Sequence, residues 1–187
     1  GVFDGTAHGA TGTATGVLGE DLIADLTVAA TTYTDVPGGA VSWSFTSGSG
    51  NYNDVAATDA TVVISKADVT IVVTPYDVVF DGAAHTATAT AIGALAANRI
   101  ADLALPAANT NAGVYAAEAW TFTDTTGNYN DDAGTVDNNI DKADVVIVVT
   151  PYTVTYDGLA HTSTGTATGV SAANRSADLS LTGTVHT

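Results

Sequence analysis

Polar and apolar residues alternate along most of this chain. Residues 86–92 read TATATAI, which puts Ala87, Ala89 and Ala91 on one face of an extended strand and Thr86, Thr88 and Thr90 on the other. Residues 114–124, VYAAEAWTFTD, place Val114, Ala116, Trp120 and Phe122 on one face, with Glu118 as the exception. Earlier in the chain Val41, Trp43 and Phe45 share a face, with Ser42, Ser44 and Thr46 outward. A period of two with one apolar face predicts half-buried antiparallel strands, with the tryptophan at the centre of the core. Gly, Asp and Asn break these runs every eight to twelve residues or so, the spacing of short strands joined by tight turns. VVIVVT at residues 145–150 is apolar on both faces and predicts a strand buried on both sides. In the equivalent earlier run Pro75 demands an edge position or a bulge, because proline has no N–H for the ladder. LAANRIADLAL, residues 95–105, comes closest to a helical pattern, but Gly, Thr and Asp flank it, and no helix is expected.

The pattern repeats. FDGTAH at residues 3–8 returns as FDGAAH at 80–85 and as YDGLAH at 156–161, steps of 77 and 76 residues. Trp43 and Trp120, NYND at 51 and 128, KAD at 66 and 142, and TPY at 74 and 150 keep the same step. One residue is lost between NYND and KAD in the second copy, which accounts for the shorter step. With KAD as the start, residues 66–141 are the complete unit. Residues 1–65 are a unit lacking its first strand, and residues 142–187 are a unit truncated at its C-terminal side. The simplest organisation is a window on a longer tandem array. A unit of this size without disulfides has a small core, so neighbouring repeats are expected to stabilise one another.

Six or seven short strands per unit make an immunoglobulin-like β-sandwich the expected architecture: all-β, in tandem antiparallel repeats of 76–77 residues. NAGVY at residues 111–115 resembles the stretch that forms the tyrosine corner of such sandwiches, with Ala117 where a cysteine would follow. The first unit has Pro37, Gly38 and Gly39 there instead. TPYTVTYDGLAHTSTGTATGV (150–170), the GNYND stretch and the KAD seam together resemble the MBG repeats of large bacterial surface proteins. The resemblance spans essentially the whole chain. It implies tandem immunoglobulin-like domains in secreted, adhesin-like or cell-surface proteins, and it carries no catalytic residues.

Charge narrows the partners. The formal net charge is −16, with Lys66, Arg99, Lys142 and Arg175 the only lysines and arginines among 20 acids. Such a surface repels phosphate backbones, so nucleic acid is not an expected partner. No apolar run is long enough to suggest membrane insertion by a helix. The chain has no cysteine, hence no disulfide and no thiol chemistry. The expected partners are neighbouring repeats and other copies in a fibre, at the bacterial surface or outside the cell.

Three kinds of residue invite a chemical reading. The recurring Asp and His of FDGxAH have no nucleophile or second acid in step with them, since Glu20 and Glu118 are not equivalent positions. The motif is therefore expected to be a hairpin turn, with Gly supplying a positive φ, the aromatic packing inward and the histidine starting the next strand. Asn51, Asn53 and Asp54, and likewise Asn128, Asn130, Asp131 and Asp132, gather oxygens that a calcium ion could use. They do not form a calcium loop with a defined ligand ladder, and such clusters also arise as turns. Lys66 and Lys142 sit at equivalent seams where an isopeptide crosslink would need a nearby buried acid, and no Glu recurs there. No acid pair, nucleophile set or cofactor loop recurs, so an enzyme is not expected. The expected function is a structural stalk or filament, and the alternative is a carbohydrate- or ligand-binding surface module.

Overall fold

The alternating runs become strands, and the Gly-, Asp- and Asn-rich stretches become the turns between them. The computed structural model describes residues 1–186. In chain order the strands are β1 (His8–Gly9), β2 (Leu26–Val28), β3 (Thr32–Tyr33), β4 (Gly38–Phe45), β5 (Val55–Val63), β6 (Thr70–Thr74), β7 (Asp77–Val79) and β8 (Thr88–Ile92). They continue with β9 (Leu103–Ala104), β10 (Gly113–Phe122), β11 (Asp132–Asp141), β12 (Val146–Thr150), β13 (His161–Thr162), β14 (Thr164–Thr168) and β15 (Val185–His186). LAANRIADLAL yields only the three-residue 3-10 turns Ala94–Ala96 and Ile100–Asp102. The chain is all-β.

By their contacts the residues gather into two compact units that cut across the sequence repeat. The first joins Gly1–Val72, Ala89–Ala104 and Thr121–Ala133; the second joins Val73–Thr88, Leu105–Trp120 and the chain from Gly134 on.

In the first unit β2, β4 and β5 form an antiparallel sheet that sets Leu26 opposite Phe45, Val28 opposite Trp43 and Val41 opposite Ala60. β1 pairs with β3, and β9 pairs with the end of β10, where Leu103 faces Phe122. One core cluster consists of Ala67, Ala91, Phe122 and Tyr129, with Phe3, Val69, Ile71, Ala94 and Leu103 packed around it. Phe122 is 1% exposed, and burying a ring of that size stabilises the fold by about 1.5–3 kcal/mol. The alternation of residues 86–92 holds, with Ala87 and Ala91 buried and Thr86, Thr88 and Thr90 exposed.

In the second unit β7 runs parallel to β11, with Asp77 opposite Asn139 and Val79 opposite Asp141. β11 pairs in turn with β10. Pro75 lies between β6 and β7, which belong to different sheets, so the missing N–H falls where the chain changes partners. β12 pairs with β14, and β13 with β15.

Three expectations are corrected. The tryptophans are half-buried rather than central: Trp120 lies over Gly134, where a Cβ would stand 2.5 Å from the indole, and the fully buried aromatic is two residues on, at Phe122. The face assigned along β10 also changes. Ala117 has φ +54°, a left-handed residue that shifts the alternation by one position. Val114 and Ala116 therefore point outward, while Glu118, Trp120 and Phe122 turn inward. Finally, 145–150 is not buried on both sides. Val146, Ile147, Val148 and Val149 are each at least half exposed, and among the described residues β14 is the strand paired with this one. Its counterpart β6 buries one side only, through Ile71 and Val73.

Candidate functional site

The FDGxAH motif builds the same clamp three times. Gly5, Gly82 and Gly158 adopt φ of +79°, +82° and +75°, the left-handed conformation that glycine reaches without a steric penalty. That bend lets the preceding carboxylate close over the turn. Asp4 Oδ1 accepts the Thr6 N–H, Asp81 Oδ1 the Ala83 N–H and Asp157 Oδ1 the Leu159 N–H, at 2.8–2.9 Å. The same oxygen faces the ring Nε2 of His8, His85 or His161 at 2.9, 2.9 and 2.8 Å.

The hydroxyl and N–H of Thr6, followed by His8, hold the Asp4 carboxyl down at about 2. The Ala83 N–H and then His85 lower that of Asp81, and His161 and then the Leu159 N–H lower that of Asp157. An ionised carboxylate only accepts, so each Nε2 carries the proton. Tyr76 and Tyr152, the tyrosines of TPY, lie tilted against His85 and His161 with ring centroids 5.8 and 5.6 Å apart.

Chemically, this arrangement fixes a turn. In a hydrolytic triad the acid and the nucleophile occupy opposite ring nitrogens. Here the Thr6 hydroxyl lies 3.4 Å from the same His8 Nε2 that meets Asp4, and Ala83 and Leu159 replace that threonine in the other copies. The turn is also not the expected hairpin, because β7 before it and β8 after it belong to different sheets. The inward aromatic holds for half-buried Phe3 and Phe80 and fails for Tyr156, which is 85% exposed.

The oxygen-rich clusters close two equivalent loops. Asp54 Oδ1 accepts the Ser47 N–H and Asp131 Oδ1 the Asp124 N–H, both at 2.9 Å. Asp132 accepts the N–H of Ala133. Asn51 and Asn53 are exposed. Asn128 is 7% exposed: its Oδ1 accepts the Val36 N–H at 2.9 Å and its Nδ2 donates to Asp35 at 2.8 Å. Asn130 Nδ2 donates to Asp68 at 2.8 Å. Among the described residues no group of three or more His, Asp or Glu side chains converges as metal ligands would. Lys66 and Lys142 are exposed at their seams.

The sequence reading missed what surrounds Asn128. Tyr129, 3% exposed, is seated in a socket made by both neighbouring repeats within the first unit. Phe3 meets its ring edge-on at 5.2 Å, and the Arg99 guanidinium lies 5.4 Å from the ring centroid. The hydroxyl accepts the Ala94 N–H at 2.9 Å, and a Cβ on Gly93 would overlap that hydroxyl. The KAD segment pairs along the loop: Ala67 N–H donates to Asn128 O, and Asn130 N–H donates to Ala67 O. Asp124 binds Arg99 at 3.1 Å. Burial alone would raise the Asp124 carboxyl, but the N–H groups of Tyr129 and Thr126 outweigh it and hold the pKa at about 2. The legible signal was Gly16, Gly93 and Gly169 keeping the same step as NYND.

A second buried network lies in the other unit. Glu118, turned inward by the bulge at Ala117, accepts from Asn109 Nδ2 at 2.8 Å and from Asn138 Nδ2 at 2.7 Å. Asn138 Oδ1 accepts the Tyr76 N–H, so TPY is tied to β11 through an amide that is 2% exposed. Tyr115 Oη donates to the Asn111 carbonyl at 2.6 Å, four residues back, as a tyrosine corner does. In the first unit Tyr33 donates instead to the Ala40 carbonyl, its ring lying where a Gly39 side chain would be.

No family model, curated protein or solved structure matches this chain.

Proposed function

We propose that this chain is a structural segment: tandem immunoglobulin-like β-sandwich repeats of the MBG type, forming the stalk or filament body of an extracellular bacterial adhesin or fibre. The observation that carries the reading is where the recurring polar residues go. Each Asp–Gly–His clamp closes on its own backbone, and the Asn128–Tyr129–Asn130 loop binds Phe3, Asp35 and Val36 of the preceding repeat. Residues used this way join repeats to one another. The acidic surface, at net charge −16, keeps long arrays soluble.

Electron microscopy of native extracellular material tests this. A ten-residue strand such as β10 spans roughly 33 Å, so repeats in series give beading every ~35–45 Å. Ordered filaments or stalks with that spacing, labelled by an antibody to this chain, are the expected result. A label confined to the cytoplasm, or to compact particles without beading, would sink the reading.

A further inference from the structure

The parallel pairings of this chain share one placement. β7 runs parallel to β11, with Asp77, Val78 and Val79 opposite Asn139, Ile140 and Asp141. Ala67 pairs parallel with Tyr129, and Val2 pairs parallel with Ser65. In each case a segment near the start of a repeat lies beside a later segment of the same repeat. The pairs β2–β4, β4–β5 and β9–β10, by contrast, are antiparallel.

The sense of a pairing decides how it meets a pull along the chain. Tension draws the entering segment back toward its N-terminal side and the leaving segment forward. In a parallel pair these forces run along the strands in opposite directions, so the evenly spaced bonds of the ladder are strained together. An antiparallel pair pulled from one end, as at Gly38 and Val63 of β4 and β5, parts one bond at a time. Forced opening is governed by the unfolding rate, and bonds that must break together slow it most.

The bonds that take such a load are in place. At β7 and β11 the Asn139 N–H donates to Tyr76 O at 3.0 Å and the Phe80 N–H to Asp141 O at 2.8 Å. Side chains pin this register. Asn139 Nδ2 donates to Asp77 Oδ1 at 2.9 Å, and buried Asn138 takes the Tyr76 N–H on its Oδ1 at 3.0 Å while its Nδ2 holds Glu118. At the entry of the repeat the Ala67 N–H donates to Asn128 O at 3.0 Å and the Asn130 N–H to Ala67 O at 2.9 Å. Asn130 Nδ2 adds a bond to Asp68 at 2.8 Å. In the first repeat the Phe3 N–H donates to Ser65 O and the Ser65 N–H to Gly1 O, both at 2.8 Å.

We propose that this chain carries tension, its parallel pairs acting as shear locks that keep a repeat closed when the segments on either side are pulled apart. The inference rests on the stalk or filament reading, since only a chain held at both ends feels such a pull.

The test is single-molecule pulling of the full chain, which has no cysteine of its own, through pairs of introduced cysteines. Exposed Lys66 and Lys142 flank the complete repeat, so Lys66→Cys with Lys142→Cys loads both of its locks in shear. Thr34→Cys with Lys66→Cys instead draws the start of β4 from the end of β5 and unzips that pair. At one pulling speed the first geometry is expected to need a several-fold higher force. Adding Asn139→Ala should lower that force and leave the unzipping force unchanged. Equal forces in the two geometries would overturn the proposal, as would Asn139→Ala lowering both forces alike or neither. The forces are read on this chain alone, so they stand or fall separately from the beading experiment.

Discussion

Phe3 and Tyr129 belong to different repeats, yet their rings meet edge to face with centroids 5.2 Å apart. The phenol fills a socket that also supplies a hydrogen-bond donor, Ala94 N–H, and a cation, Arg99. Truncating it removes buried area, a hydrogen bond and a cation–π contact together. Tyr129→Ala is expected to destabilise the first unit by about 3–5 kcal/mol. Tyr129→Phe leaves only the Ala94 N–H unpaired and costs about 1–2 kcal/mol. Urea unfolding of the two variants should rank them in that order.

Asn128 and Asn51 hold equivalent places in the sequence but not in the fold. Asn128 is buried and bonds Asp35 and Val36, whereas Asn51 is exposed, its backbone N–H donating to the Ser49 hydroxyl. Asn128→Ala should cost about 1–3 kcal/mol, since the Val36 N–H loses its acceptor. Asn51→Ala should fall within about 0.5 kcal/mol of the parent. Equal effects would show that the loop between repeats contributes nothing particular.

Asp124 sets an acid limit on this unit. Its carboxyl is held at about 2 in the folded chain against an ordinary 3.8. A group lowered in this way stabilises the fold above its unfolded pKa, and the contribution disappears as pH falls from 3.8 through about 2. Melting temperature should therefore drop across that window. Asp124→Asn should flatten the drop while lowering the plateau near neutral pH, where the Arg99 partner is lost.

Ala117 occupies a conformation that L residues resist. With φ at +54°, replacement by glycine should stabilise the chain by about 0.5–1 kcal/mol, and replacement by valine should destabilise it by more than that. The same bulge makes Glu118 an acceptor for the amides of half-buried Asn109 and buried Asn138, so Glu118→Gln should leave one of them unpaired at about 1–3 kcal/mol. Thermal melts of the three variants decide the matter.

Calcium has a clear readout. Asp131 and Asp54 already accept N–H groups that close their loops, Asn128 Oδ1 accepts the Val36 N–H of the preceding repeat, and binding an ion through them would compete with those bonds. Millimolar calcium at fixed ionic strength is expected to leave the melting temperature unchanged. A rise that saturates with one ion per repeat would revive a specific site.

Much of this was legible because it is local. The Ala87–Ala89–Ala91 face follows from period two alone, and Pro75 announced a break in its strand. The Asp–Gly turn followed from side chains within six residues of one another. What was not legible depends on partners far along the chain. The FDG turn joins strands of different sheets, which no local pattern encodes. The inversion at Ala117 was hidden because alanine carries no signature of a left-handed bulge, and it made Glu118 look like an exception when it faces inward. Tyr129 lies in a stretch that reads as a turn, and its packing partners Phe3, Ala67 and Ala91 lie far from it along the chain.

The bare strand β12 is the place where this sheet opens most readily. Val146 to Val149 sit exposed beside a single partner strand, while the equivalent residues of β6 lie half covered. Local opening there breaks few contacts, so amide protons of β12 should exchange orders of magnitude faster than those around Phe122.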